Sequence, residues 1–266
     1  MGSSFPILVY HQIVPDDFSV VPFPPGDRPY YSRFQEFHLH VEYLASQDFS
    51  SLTMDEVVNG ISGGRDAKRV AITFDDGQLS DYIVAFPELA KRNMRGTFYV
   101  ITDDIEKEGR LTWSQIREMQ DHGMEIGSHS CSHQNLLDLN DQELKKEIYD
   151  SKEILENRLG RPIHSFSVPF GFVDTRVIRM ALEVGYRTIS TSKVELVGAK
   201  RVPPIFGRIG IRRGDGVEQF RKVVEMDRLT IGKLVMEDRL KAFFKRCLGR
   251  PLWHKLRNRL LSQTTC

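Results

Sequence analysis

Two short clusters of polar residues have the types and spacing to bind a divalent metal ion. Asp75 and Asp76 are adjacent in the segment T-F-D-D-G, and His129 and His133 are four residues apart in S-H-S-C-S-H. Two neighbouring carboxylates are costly unless a positive charge offsets them, and a divalent cation supplies that charge. Residues four apart lie on one side of a helical turn, so we expect both imidazoles to face the same ion.

Three protein ligands with open positions for water and substrate are typical of a catalytic zinc site rather than a structural one. Two imidazoles and one carboxylate from these clusters would supply the three ligands. The second carboxylate is then free to act as a general base that takes a proton from the attacking water.

The elements that must position these residues alternate between strand and helix. Short apolar runs predict strands at 6–13, 69–74, 96–101, 124–128, 163–168, 186–190 and 206–211. Helical spacing and capping residues predict helices at 32–47, 53–61, 79–93, 112–123, 140–159 and 174–184. Such alternation is typical of parallel βαβ units, and about seven repeats favour a barrel over an open sheet.

Three polar clusters each follow a predicted strand: Asp75-Asp76, His129, and Pro169-Phe170-Gly171. The carboxyl ends of barrel strands share one face, and that face carries the active site in such folds. We therefore expect these clusters, which are distant in sequence, to converge.

The segments T-F-D-D-G at 73–77, S-H-S-C-S-H at 128–133 and S-V-P-F-G at 167–171 resemble the motifs of the polysaccharide deacetylases, also called carbohydrate esterase family 4 or NodB-homology proteins. The resemblance covers roughly residues 69–190, with a weaker match at 6–13. It implies a distorted, TIM-like (β/α)7 barrel of the α/β class.

The resemblance also implies roles for the clustered residues. Asp75 becomes the general base, and Asp76, His129 and His133 become the ligands of a divalent ion, with zinc expected first and cobalt or nickel as alternatives. The backbone N–H of Phe170 is expected to bind the oxyanion, with Pro169 and Gly171 beside it at the substrate.

Two features depart from the family pattern. Ser167 stands where the motif R-x-P-Y-G has an arginine that usually orients the base, and the motif L-x-H, whose histidine protonates the leaving amine, has no counterpart. His11, at the end of the first predicted strand, is the substitute acid that we expect, with a packed strand-end histidine as the alternative. Arg208 could orient a carboxylate or bind the sugar. A small residue at 167 and an opening strand I-L-V-Y-H are similar to the branch that acts on poly-N-acetylglucosamine exopolysaccharides.

Composition limits the location and the partners. Lys and Arg number 37 against 36 for Asp and Glu, which argues against a nucleic-acid partner. The first residues do not read as a signal peptide and no stretch reaches ~18 apolar residues, so we expect a cytoplasmic protein or one at the inner membrane surface.

We divide the chain into a deacetylase barrel over 1–214 and a basic helical extension over 215–266, with helices around 217–225 and 229–262. The segment 241–261 mixes apolar and basic residues. This mixture favours either peripheral membrane contact or packing of a basic helix on the barrel.

Together these observations predict a metal-dependent hydrolase that removes an N-acetyl or O-acetyl group from a carbohydrate, with an exopolysaccharide or its precursor as substrate. Two alternatives stay open. A non-catalytic glycan-binding accessory protein would explain the missing L-x-H motif, although the intact Asp75 argues against it. The second alternative is a small-molecule amide hydrolase on the same fold, since a long loop at 14–31 could narrow the opening of the active site.

Overall fold

The computed structural model describes residues 4–16, 31–59, 68–198 and 204–243, and within them short strands form a barrel surrounded by helices. The strands are β1 (Phe5–Tyr10), β2 (Ile13–Val14), β3 (Ser32–Arg33), β4 (Ser50–Leu52), β5 (Arg69–Phe74), β6 (Thr97–Val100), β7 (Glu125–Ser128), β8 (Ser165–Ser167), β9 (Thr188–Ser190), β10 (Leu196–Val197), β11 (Ile205–Phe206) and β12 (Ile209–Gly210). The helices are α1 (Phe34–Ser46), α2 (Met54–Asn59), α3 (Phe86–Ala90), α4 (Trp113–Asp121), α5 (Asp141–Lys145), α6 (Ser151–Leu159), α7 (Thr175–Glu183), α8 (Val217–Val224) and α9 (228–243).

Parallel pairing runs around the barrel in the order β1, β5, β6, β7, β8, β9 and β11. β12 then pairs with β1, with Leu8 opposite Ile209, so the segment 205–210 closes the barrel between its last and first strands. β10 pairs antiparallel with β1, which makes the sheet mixed. The predicted barrel is confirmed.

The strands are buried because helices cover the barrel and side chains fill it. All six residues of β1 are buried, as is typical of a strand in a parallel sheet covered on both faces. Phe37, Val41 and Leu44 form the inward stripe of α1 and are at most 1% exposed. Each such side chain contributes about 1.5–3 kcal/mol on burial, so this stripe holds α1 on the sheet.

Five of the seven predicted strands lie in the structure with ends shifted by two residues or fewer. The predicted strand 6–13 is interrupted after Tyr10, and the separate β2 pairs with β3. Of the predicted loop 14–31, residues 17–30 lie outside the described residues. The predicted strand 206–211 is split at Gly207 and Arg208, because the chain leaves β9 there and moves to β1.

Two predicted helices contain a wider turn. The helix predicted at 79–93 is π-helical at Asp81–Ala85, and the helix predicted at 140–159 is π-helical at Lys146–Asp150. A π turn accommodates an extra residue and shifts the inward spacing by one position. In the second segment both Glu147 and Ile148 are buried as a result.

The predicted helix caps are confirmed where the structure describes them. The backbone N–H of Thr53 donates to Oε2 of Glu56 at 2.9 Å, and that of Thr112 donates to Oε1 of Gln115 at 2.8 Å. α6 ends at Gly160, whose left-handed φ of +67° gives the usual C-terminal cap.

The described part of the C-terminal extension packs on the barrel helices. The ring of Phe220 on α8 stacks on that of His40 on α1, with centroids 4.1 Å apart, and Phe220 is fully buried in the main core. The predicted helix 229–262 is present as α9 up to residue 243, and residues 244–266 lie outside the described residues. In the described ranges, no helix is both long enough and apolar enough to cross a membrane.

Candidate active site

Residues that follow three strands of the barrel meet at its carboxyl-terminal face. Asp75 and Asp76 directly follow β5, His129 follows β7, and Phe170 lies in the turn after β8. Nε2 of His129 is 3.9 Å from Oδ2 of Asp75, and the rings of His133 and Phe170 are 4.7 Å apart. The structure therefore brings these clusters together.

Three of these side chains could hold a metal ion: Asp76, His129 and His133. One possible donor atom of each lies within 4.8 Å of the other two. Oδ1 of Asp76 is 3.5 Å from Nε2 of His129 and 3.6 Å from Nε2 of His133. The side chains of Asp76 and His133 are 22% and 29% exposed, so the group opens to solvent on one side. One carboxylate and two imidazoles with an open side fit a catalytic zinc-type ion.

A backbone hydrogen bond orients His129 towards this group. Its Nδ1 lies 2.8 Å from the carbonyl oxygen of Ser167, which can only accept, so Nδ1 donates and Nε2 keeps its lone pair for a metal. Burial lowers the pKa of His129, but the carboxylates of Asp75 and Asp76 outweigh it and raise the pKa above its ordinary value. Burial and the neighbouring His129 lower the pKa of His133 to about 4, so this imidazole is neutral, as a metal ligand must be.

Arg208 holds Asp75 in a buried bidentate ion pair. The two terminal nitrogens of Arg208 lie 2.8 and 2.7 Å from the two carboxylate oxygens of Asp75. Both residues are 3% exposed. Burial raises the pKa of Asp75, but the Arg208 guanidinium, together with His129, outweighs it and lowers the pKa to about 2. Asp75 is therefore ionised around neutral pH, and the bidentate pair fixes the orientation of its carboxylate oxygens.

All five N–H donors of Arg208 are engaged inside the barrel. Besides the two bonds to Asp75, they donate to the carbonyl of Thr191, to the hydroxyl of Thr73 and to the hydroxyl of Ser167. This leaves no guanidinium donor for a sugar. Of the two roles that the sequence left open for Arg208, the geometry supports the orientation of a carboxylate. The small Ser167 side chain donates to Asp75 as well, at 3.2 Å, and leaves room for Arg208 beside it.

Four non-glycine residues at this face have left-handed backbones: Asp76, Ser130, His133 and Phe170, with φ between +58° and +80°. Each such conformation costs about 1–3 kcal/mol and is concentrated at functional sites. The predicted helical turn over 129–133 is wrong, because Ser130 and His133 turn the chain as an irregular loop. Both imidazoles nevertheless face Asp76.

The turn after β8 places Phe170 and Gly171 beside the histidines. Phe170 is 54% exposed, and its carbonyl accepts a hydrogen bond from the hydroxyl of Ser192 at 3.3 Å. Gly171 has a φ of +70°, and a Cβ there would lie 2.3 Å from the backbone nitrogen of Ser192. Only glycine therefore fits next to Phe170. Pro169 is buried and begins the turn.

His11 lies in the connection after β1, within electrostatic range of the group. Burial raises the pKa of Asp76, while the neighbouring His129 and the charge of His11 lower it, and the net pKa is well below its ordinary value. We call the segment 129–133 the histidine loop. His11 approaches the metal-binding group from one side of β5, and the histidine loop approaches it from the other side.

Two further residues that the sequence did not single out hold the site in place. Arg110 donates to the carbonyl oxygen of Asp76 at 2.9 Å and also pairs with Asp104 at 3.1 Å, which fixes the left-handed backbone of Asp76. Glu147 binds the loop between the two histidines. No local spacing links either residue to the motifs, because each reaches the site from another element.

Comparisons with known proteins agree with this geometry. The family described as polysaccharide deacetylase matches residues 62–189, which include all three motif segments. YxkH of Bacillus subtilis (strain 168), which has the provisional name of a polysaccharide deacetylase, is 30% identical over 187 residues, or 70% of this chain and 63% of YxkH. A peptidoglycan-N-acetylglucosamine deacetylase of Bacillus cereus is 30% identical over 123 residues, or 46% of this chain and 55% of that protein.

A solved structure gives the same result. BC0361, a polysaccharide deacetylase from Bacillus cereus, superposes with a TM-score of 0.73 at 27% identity, covering 84% of this chain and 69% of BC0361. The segment 62–189 of the chain belongs to the polysaccharide deacetylase family. The chain spans 63% and 55% of the lengths of the two curated relatives. His11 and Arg208 lie outside the matched family segment.

Proposed function

We propose that this protein is a metal-dependent deacetylase that hydrolyses an acetyl group on a carbohydrate. The observation that carries the proposal is the placement of Asp75, a buried carboxylate held ionised by Arg208, next to the Asp76, His129 and His133 donor group. A base beside an open metal-binding group is the minimum that hydrolysis of an amide or ester by water needs.

The residues present fit a divalent ion. Asp76, His129 and His133 would hold it, with the lone pair of His129 Nε2 directed by the Ser167 carbonyl. When bound, such an ion polarises the acetyl carbonyl and lowers the pKa of the attacking water. We expect zinc, with cobalt and nickel as substitutes, because a mixed imidazole and carboxylate set suits these ions.

The protein's own groups then move the proton. A carboxylate oxygen of Asp75 accepts it from the attacking water while Arg208 keeps that oxygen in place. Arg208 favours the ionised form of Asp75, so the protonated carboxyl can pass its proton on to the leaving nitrogen. His11 is the second candidate for this acid. The backbone N–H of Phe170, next to His133, is proposed to bind the developing oxyanion.

The substrate class follows from the family and is proposed to be an N-acetylated glucosamine polymer. One curated relative is named for N-acetylglucosamine in peptidoglycan. An exopolysaccharide or its precursor is the proposed polymer, since Ser167 and the opening strand resemble that branch. The Asp75–Arg208 pair weighs against a purely glycan-binding protein, because an oriented base has no use in binding alone.

Membrane contact and location stay predictions. The segment 241–261 lies outside the described residues apart from 241–243. A cytoplasmic site of action, or one at the inner membrane surface, is retained as the proposal.

The test is release of acetate from N-acetylglucosamine oligomers by metal-stripped protein, with and without added zinc or cobalt. Asp75→Asn is measured alongside, and Asp103→Asn is the matched control, since Asp103 is an exposed carboxylate after β6 at the same barrel face. We expect metal-dependent release that is lost in Asp75→Asn and kept in Asp103→Asn. Metal binding without release from any oligomer would refute the proposal and favour the accessory protein or a small-amide substrate.

A further inference from the structure

A buried carboxylate, Glu147, binds the loop that carries both metal-binding histidines. Its Oε2 accepts from the backbone N–H groups of Cys131 and Ser132, at 3.0 and 2.9 Å, and its Oε1 accepts from the hydroxyl of Ser132 at 2.6 Å. Glu147 is 6% exposed. The carboxylate thus binds two of the three residues that lie between His129 and His133.

The position of Glu147 is unusual for an acidic residue. It lies on the inward side of the helical segment 141–159, where Leu144, Ile148 and Ser151 are fully buried. Burying a carboxylate costs several kcal/mol unless hydrogen bonds compensate for the lost hydration. Among the described residues, the donors that compensate for this loss all belong to the histidine loop, so the carboxylate is stabilised only when that loop has the shape seen here.

The histidine loop itself needs such support. Ser130 and His133 have left-handed backbones, which persist only where surrounding contacts determine them. Ser128 and Ser130 contribute local bonds: the hydroxyl of Ser128 accepts from the N–H of Ser130, and the hydroxyl of Ser130 accepts from the N–H of His133. Cys131 and Ser132, between these bonds, are bound through Glu147.

We propose that Glu147 is a positioning residue for the metal site: it fixes the backbone of the histidine loop so that His129 and His133 point at Asp76. This inference rests on the proposed metal-binding function and extends it to a residue on a different element. Loss of an outer partner of a metal ligand typically costs 10–100-fold in metal affinity.

Glu125 is a matched control for a purely structural carboxylate. Its oxygens also accept three hydrogen bonds, from the hydroxyls of Ser165 and Thr97 and from the N–H of Asp55. It is the first residue of β7, at the opposite end of the strand from His129. Replacing it removes the same number of bonds without touching the histidine loop.

The experiment titrates the metal-stripped full chain with Zn²⁺ by calorimetry and records thermal melting of each variant. We expect Glu147→Ala to bind Zn²⁺ about 10–100-fold more weakly. Glu147→Gln should stay close to the unmodified protein, because its amide oxygen can accept both N–H groups and its amide nitrogen can donate to the Ser132 hydroxyl. Glu125→Ala should melt at a lower temperature with unchanged affinity for Zn²⁺.

Unchanged affinity in Glu147→Ala, or equal weakening in Glu125→Ala, overturns the inference. If Glu147→Ala does not fold, Ser132→Ala replaces it, since it removes one of the three donors and leaves the carboxylate. We then expect roughly two- to tenfold weaker binding, and unchanged binding overturns the inference. A protein that binds Zn²⁺ as expected and releases no acetate leaves the role of Glu147 standing and refutes only the deacetylase activity. Absence of any Zn²⁺ binding in the unmodified protein overturns both.

Discussion

Replacing Arg208 by methionine tests the central electrostatic feature of the site. The substitution keeps an unbranched side chain in the barrel and leaves Asp75 as a buried charge without its partner. Breaking one side of such a pair costs about 3–5 kcal/mol, which corresponds to a melting temperature lower by roughly 6–20 °C for a domain of this size. Loss of an oriented general base should also reduce kcat/KM by roughly 10²–10⁴-fold.

The pKa of Asp75 predicts how the stability lost in Arg208→Met depends on pH. In the unmodified protein the pKa of Asp75 is lowered from 3.8 to about 2, so its contribution to stability is present above pH 4 and is lost as the pH falls to 2. In Arg208→Met the burial that raises this pKa is no longer offset by the guanidinium. The stability deficit of the variant should therefore be largest near neutral pH and should shrink as acid protonates Asp75.

Thermal melting between pH 3.5 and 8 and acetate release are the assays. Arg187→Met is the control, because Arg187 forms a half-exposed ion pair with Asp55 away from the site, at 3.3 Å, and its loss should cost little. A second variant, Arg208→Ser with Ser167→Arg, returns the arginine to the family position and should restore part of kcat/KM. The reasoning is refuted if Arg208→Met melts and hydrolyses like the unmodified protein.

Four further predictions concern single residues. Asp75→Asn should lose about 10²–10⁴-fold in kcat while keeping its bound metal, and metal analysis showing an empty protein would make Asp75 a ligand instead. His133→Ala should fail to retain metal on dialysis, and full metal content would exclude it as a ligand. Gly171→Ala should melt several degrees lower by circular dichroism, since its Cβ would lie 2.3 Å from the nitrogen of Ser192 and its φ is +70°; an unchanged melting temperature would contradict this contact. Burial raises the pKa of Cys131 to about 11, so mass spectrometry should find this thiol alkylated far more slowly at pH 8 than a free cysteine, and equal rates would show that it is accessible.

The sequence was sufficient to place the histidines and aspartates together because of a property of parallel barrels. Each cluster follows a strand, and all such strands end on one face, so the strand positions alone bring Asp75 near His129. The same logic located the turn at Phe170. The five correctly predicted strands are short and apolar, which makes their pattern easy to recognise.

What the sequence could not show depends on contacts between distant elements. The sequence indicated Arg208 as a residue that could orient a carboxylate, but Arg208 and Asp75 are 133 residues apart and no local spacing identifies Asp75 as its partner. The loop over 129–133 was predicted as a helical turn because spacing alone does not report a left-handed backbone at Ser130 or His133. The π turns were missed for a related reason, since one extra residue shifts the apolar pattern without leaving a distinctive signal.

The closure of the barrel by the segment 205–210 affects the order in which the chain becomes active during its synthesis. β1 is made about 200 residues before β12, its partner across the closing seam, and contacts so distant in sequence form slowly. A nascent chain that ends before residue 205 already contains Asp76, His129 and His133, but it has no Arg208 to pair with Asp75. The metal-binding group can thus be assembled while the ribosome is still working, whereas an oriented base appears only when the last strand docks. Hydrolytic competence should therefore be acquired late in folding, when the barrel closes.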